Sequence, residues 1–127
     1  MTVSIGIIGT GVMGADHART LANQVAGVRL RALTDADQAR AKSIADEVGA
    51  ETVAADPMAI IADKKVDAIL IASPDNTHRE LTLACLAAGK PVLCEKPLAP
   101  TSQEAQDVVN AEVKAGRRLV QVGYMRR

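Results

Sequence analysis

The chain has 127 residues, of which 48% are hydrophobic and 24% charged, and its 15 basic and 15 acidic side chains leave a formal net charge of +0. That is the profile of one ordinary soluble domain, and it lacks the electrostatic footprint of a nucleic-acid or anionic-membrane binder. With no Trp, no Phe and Tyr124 as the single aromatic residue, there are no rings on which bases could stack, and the core must be aliphatic.

The first predicted strand is VSIGII, Val3 to Ile8. The apolar stretch Val3 to Met13 suggests a signal h-region, but no Lys or Arg precedes it and glycines interrupt it, so a cytoplasmic location is expected. GTGVMG follows, opening onto a helix expected to start near Ala15, in which His17 reads as a packing residue. VRLRALT, Val28 to Thr34, is the second strand, and Asp35 follows it directly. ETVA, Glu51 to Ala54, is a weak third strand; Gly49 closes the helix before it, and Asp56 with Pro57 opens the helix after it. AILIA, Ala68 to Ala72, is the fourth strand, followed by a turn at Ser73 and Pro74. Thr77 and Glu80 have the spacing of a capping box for a helix starting near His78 and ending at Gly89. VLC, Val92 to Cys94, is the fifth strand and runs into Glu95, Lys96 and Pro97. A second capping box, Thr101 with Glu104, starts a helix that ends at Gly116, and LVQVG, Leu119 to Gly123, is the sixth strand. Short aliphatic runs alternating with Ala-rich helical segments predict an α/β fold: a Rossmann-type, doubly wound, mostly parallel six-stranded sheet spanning residues 1–127 as one domain.

Gly9, Gly11 and Gly14 have the G-x-G-x-x-G spacing, with Thr10, Val12 and Met13 completing the loop. Gly9 allows a tight turn, Gly11 lets a pyrophosphate approach the backbone, and Gly14 lets helix and strand pack closely. Glycines in a strand-to-helix turn can also be purely structural, so the acid downstream matters. Asp35 stands 21 residues after Gly14, at the end of the second strand, where a carboxylate hydrogen-bonds the adenosine ribose hydroxyls. Its charge favours NAD over NADP, although Arg40 in the next helix keeps NADP open. The alternative role for Asp35 is a helix N-cap. Capping is preferred to catalysis for Asp75, Asn76 and Thr77, whereas Ser73, Pro74 and His78 are assigned to the cofactor edge. Cys85 and Cys94 lack the spacing of a redox or zinc motif and read as buried, reduced thiols; two histidines are too few for a metal cluster. No apolar run reaches the roughly 18 to 20 residues of a membrane helix.

GTGVMG, Asp35, SPDNTH, EKPLA and VGYMRR, in this order, resemble the N-terminal nucleotide-binding domain of the glucose–fructose oxidoreductase and inositol dehydrogenase (Gfo/Idh/MocA) family. The resemblance covers essentially the whole chain, and the E-K-P motif is its distinctive element. It implies that Lys96 reaches the nicotinamide ribose and the substrate, with Glu95 and Pro97 positioning it, and that the parent enzyme passes a hydride between a sugar or cyclitol and nicotinamide. It also implies a second α/β domain, which these residues do not include, so the chain reads as one isolated half, a fragment or a truncation, whose exposed apolar surface favours a homo-oligomer. A cis Lys96–Pro97 bond is expected from the sharp turn at the strand end and from the resemblance. On the residues alone, a non-catalytic nucleotide-binding or redox-sensing module and a pure interaction protein remain open.

Overall fold

A computed structural model describes residues 2–123; residues 124–127, which complete the VGYMRR string, lie outside the described residues. Strands β1 (Val3–Ile8), β2 (Val28–Thr34), β3 (Thr52–Val53), β4 (Ala68–Ile71), β5 (Val92–Glu95) and β6 (Val120–Gly123) alternate with five helices. These are α1 (Val12–Gln24), α2 (Gln38–Val48), α3 (Pro57–Ala62), α4 (His78–Ala87) and α5 (Ser102–Ala115). The strands form one sheet in the order β3-β2-β1-β4-β5-β6. Every described pairing is parallel, so the expected "mostly parallel" sheet is parallel throughout.

Helices cover both faces, as a parallel sheet of near-continuous apolar strands requires. On one face Ala15 and Ala18 of α1 and Ile44 and Ala45 of α2 pack against Ile7, Leu33 and Leu70. On the other, Ile60 and Ile61 of α3 and Leu81 and Cys85 of α4 pack against Ile8, Ile69, Ile71, Val92 and Cys94. Cys85 and Cys94 are both free and buried, as expected of structural thiols. Leu21 of α1 and the strand residues Ile5, Leu70 and Leu93 border an apolar groove of about 740 Å3 that extends to β6. Among the described residues no helix is long and apolar enough to cross a membrane.

Three local expectations change. Helix α1 begins at Val12 rather than near Ala15, which places Gly14 inside its first turn. Strand β5 extends one residue further, so Glu95 is paired with Gly123 within the ladder instead of following it. The Thr77–Glu80 capping box does not form. A 3-10 turn at Asp75–Thr77 runs straight into α4, so Thr77 already has helical dihedrals, and its hydroxyl donates to the Pro74 carbonyl instead. Asp75 and Asn76, also expected as caps, lie within that 3-10 turn, and neither it nor α4 has a side-chain cap; elsewhere Asp56 accepts from Met58 N–H, Thr101 from Glu104 N–H, and Gly49 and Gly116 are left-handed.

Candidate functional site

The strand order reverses between β1 and β4, and a parallel sheet opens a crevice beyond its carboxyl edge at such a point. A cleft of about 730 Å3 lies there, lined by Gly9, Gly11, Asp35, Arg40, Ser73 and Pro74 among others. The three loop glycines are needed for different reasons. Gly9 has φ +99°, and a Cβ there would stand 2.6 Å from the backbone of Ala72 and Ser73. A Cβ on Gly14 would stand 1.8 Å from the Gly9 carbonyl oxygen. Gly11 differs: its φ is −68°, and a Cβ would meet nothing closer than Arg40 Nη2 at 4.0 Å. The protein itself makes no demand for glycine at position 11. The space is left for something that comes from the cleft.

Helix α1 points its N-terminus at that space. Asp37, Asp56 and Thr101 each cap a helix with a side-chain oxygen, but the Gly11 cap of α1 offers none, and no acid stands in its first turn. Its unpaired N–H groups and dipole therefore face the cleft ready for an anion. Val12 at this end is 88% exposed, and neither Val12 nor Met13 lines the cleft.

Asp35 is not the helix cap; Asp37 is, accepting from Arg40 N–H. The Asp35 carboxylate accepts from Thr10 N–H (2.6 Å), the Thr10 hydroxyl (2.9 Å) and Arg40 Nη2 (2.9 Å) on Oδ2, and from Asp37 N–H (2.8 Å) on Oδ1. Burial pushes its pKa up, but the Thr10 and Asp37 N–H groups, Arg40 and the Thr10 hydroxyl outweigh that and bring it down to about 2. It is a carboxylate at any physiological pH. Thr10 and Asp37 fix its orientation from within the fold, whereas Arg40, 49% exposed, holds it from the cleft side.

The E-K-P segment lies beside this cleft and does not line it. The Lys96–Pro97 bond is cis, as expected. Lys96 is exposed, and its N–H donates to the Gly123 carbonyl. His78, assigned from sequence to the cofactor edge, lies beneath that edge at 1% exposure. Its Nδ1 is 2.6 Å from the Pro97 carbonyl and its Nε2 2.8 Å from the Ser73 carbonyl, so neither nitrogen is free to meet a cofactor. Carbonyls only accept, so both ring nitrogens donate and the ring is an imidazolium. Burial pulls its pKa down, but the neighbouring Cys94 sulfur and the two carbonyls outweigh it and push the value up to about 9. His17 corrects its expected packing role: its Nε2 is 2.5 Å from Glu95 Oε1. The available signal was its place three residues after Gly14, on the same face of α1. Among the described residues no three His, Cys, Asp or Glu side chains gather as a metal site.

A parallel sheet in this order, a glycine turn feeding an uncapped helix and an acid at the end of β2 define a dinucleotide-binding domain of the Rossmann class. Residues 3–124 match the GFO_IDH_MocA model, described as an oxidoreductase family with an NAD-binding Rossmann fold, and the chain belongs to that family. Inositol 2-dehydrogenase 1 of Saccharopolyspora erythraea is 59% identical over 128 residues, covering 100% of this chain and 38% of the relative. Inositol 2-dehydrogenase of Paracoccus denitrificans is 50% identical with the same coverage. Among solved structures, myo-inositol dehydrogenase from Lactobacillus casei in complex with NAD(H) and myo-inositol superposes with a TM-score of 0.96 at 34% identity, covering 100% of this chain and 38% of that one. The chain thus spans 38% of the length of these relatives.

Proposed function

We propose that this domain binds NAD(H) in the cleft at the β1/β4 switch, as the nucleotide half of a dehydrogenase acting on a cyclitol or related sugar. The observation that carries the reading is Gly11, whose missing side chain spares no protein atom and leaves room above the free N–H groups of α1. In this reading the pyrophosphate sits there, and the adenosine ribose hydroxyls donate to Asp35, replacing Arg40. When bound, the nicotinamide supplies the hydride chemistry. Lys96, exposed at the end of β5, holds the nicotinamide ribose and the substrate hydroxyl, with Glu95 and Pro97 on either side of it. The cyclitol class is supported by the inositol dehydrogenases to which the chain is similar. The reading places the protein in the cytoplasm, and its two free buried thiols fit a reducing compartment.

The test is a thermal-shift series with NAD, NADH, NADP and NADPH. At about 100 times its dissociation constant NAD contributes roughly 2.7 kcal/mol, which raises Tm by on the order of 10 °C. Expressed by themselves, these residues should show no steady NADH formation with a panel of inositols and sugars. Half a cleft cannot hold the reacting carbons about 3 to 3.5 Å apart with water excluded. No shift with any dinucleotide would overturn the reading.

Cofactor choice gives a sharper check. Asp35→Asn keeps one acceptor oxygen, enough for the Thr10 or the Asp37 N–H but not for both, and it removes the charge and releases Arg40. NAD affinity should fall about 10-fold or more, as for a charge-assisted hydrogen bond, while the gap to NADP narrows. Tighter binding of NADP than of NAD by the unaltered protein would refute the assignment of Asp35.

A further inference from the structure

Lys96 is a long, exposed side chain whose ammonium group has no hydrogen-bond or ion-pair partner among the described residues, and holding such a side chain in one place costs rotamer entropy. The residues on either side of it are tied down from two different helices. Before it, Glu95 is a mostly buried carboxylate, 12% exposed at its side chain, and accepts from His17 Nε2 across 2.5 Å. After it, the Pro97 carbonyl accepts from His78 Nδ1 at 2.6 Å, while the other nitrogen of that ring holds the Ser73 carbonyl. His17 stands on α1, the helix that opens from the glycine loop. His78 begins α4, the helix that follows the Ser73–Pro74 lip of the cleft. Two of the parts of the chain that line the cleft, the glycine loop and the Ser73–Pro74 lip, are therefore coupled, through one histidine each, to the two neighbours of Lys96.

Packing alone does not explain these contacts. A part-buried carboxylate–histidine pair gains little in stability, because the desolvation of the carboxylate offsets much of the attraction. Such a pair does fix direction: the carboxylate only accepts, so His17 Nε2 carries the proton and donates. We propose that His17 and His78 are positioning residues for Lys96, His17 acting through the Glu95 carboxylate and His78 through the Pro97 carbonyl, so that the ammonium group stands at the nicotinamide end of the cleft. The proposal rests on the reading that Lys96 meets that end of the cofactor. Displacing a group there by about 1 Å is enough to cost on the order of 100-fold in function, so two braces from rigid helices have a use that a surface lysine would not.

The experiment compares NAD with ADP, which keeps the adenosine and pyrophosphate but lacks the nicotinamide ribose, by calorimetric titration of the same 127-residue protein. Lys96→Ala should weaken NAD about 10-fold and leave ADP within about 2-fold, the loss expected for one charged hydrogen bond. His17→Ala should move the two ligands in the same unequal way. His17→Gln, whose amide still donates to Glu95, should recover most of the NAD affinity. His78 is buried and its replacement endangers folding, so its arm is read in the unaltered protein by 15N NMR. Both ring nitrogens should be protonated at neutral pH, and both should shift further on adding NAD than on adding ADP. If Lys96→Ala leaves NAD and ADP in their original ratio, the underlying reading of Lys96 fails and the proposal with it. If Lys96→Ala changes the ratio but His17→Ala does not, the positioning role alone fails. Equal weakening of both ligands by His17→Ala, no rescue by His17→Gln, or a His78 ring with one unprotonated nitrogen would each overturn it as well.

Discussion

Gly11→Ala should leave the fold intact and weaken NAD binding at least about 10-fold, whereas Gly14→Ala should destabilise the fold itself. At Gly11 the backbone has a φ that alanine adopts freely and the added methyl meets only the end of the Arg40 side chain, at 4.0 Å. Stability should change by no more than about 1 kcal/mol, in either direction, since alanine also narrows the unfolded ensemble. The methyl would occupy the place assigned to the pyrophosphate, so the NAD dissociation constant should rise by at least about 10-fold, the result of losing a few close backbone contacts to phosphate. At Gly14 the methyl would meet the Gly9 carbonyl at 1.8 Å, a backbone atom that moves only if the whole turn from β1 into α1 moves. Overpacking of that kind costs about 3 kcal/mol or more, on the order of 10 °C in Tm for a domain of this size. Urea denaturation and NAD titration of the two variants separate the roles. A Gly11→Ala protein that binds NAD like the unaltered one would remove the pyrophosphate from this loop.

The second large effect is a loss of stability on the alkaline side of neutrality. His78 has a folded pKa of about 9 against 6.5 when unfolded. The folded state therefore holds a proton that the unfolded state releases first. Its contribution is complete below about pH 6.5 and disappears as the pH rises through about 9, a total of about 3 kcal/mol. Cys85 does not confuse this window: burial pushes its thiol up to about 12 from 9.0, so its own destabilising effect begins only above about pH 9. Unfolding free energies from urea titrations between about pH 6 and pH 9 should show the decline. His78→Met should start lower and run nearly flat across the same range. A decline of the same size in the variant would assign the titration to another group.

Much of this architecture could be read from local patterns, because each pattern has a local cause. Apolar runs of strand length, interrupted by helices with Asp–Pro or Thr–x–x–Glu starts and Gly ends, specify parallel β-α units whatever surrounds them, and all six strands appear within a residue or two of their expected bounds. The two departures have different causes, a neighbour distant in sequence for Glu95 and the turn immediately before the helix for Thr77. Glu95 was placed after the strand because charges avoid a buried ladder, but pairing with Gly123 carries β5 one residue further, and there His17, 78 residues earlier, meets the carboxylate. Thr77 had the right spacing for a capping box, yet the 3-10 turn before it had already taken up helical geometry.

By itself the sequence determined the α/β class, the glycine turn, the acid at the end of β2 and the motif that contains Lys96, since all of these are set by residue type and by spacing along one segment. The tertiary structure decided which glycines the fold itself requires and which it does not, because that distinction depends on what a missing Cβ would touch. It also decided that Arg40, and not Thr10, is the partner of Asp35 that stands in the open cleft, a matter of exposure. The two histidines belong with these. From sequence His17 reads as a packing residue and His78 as a residue of the cofactor edge, and only the closing of the sheet brings one ring nitrogen of His17 to Glu95 and the His78 ring between Ser73 and Pro97.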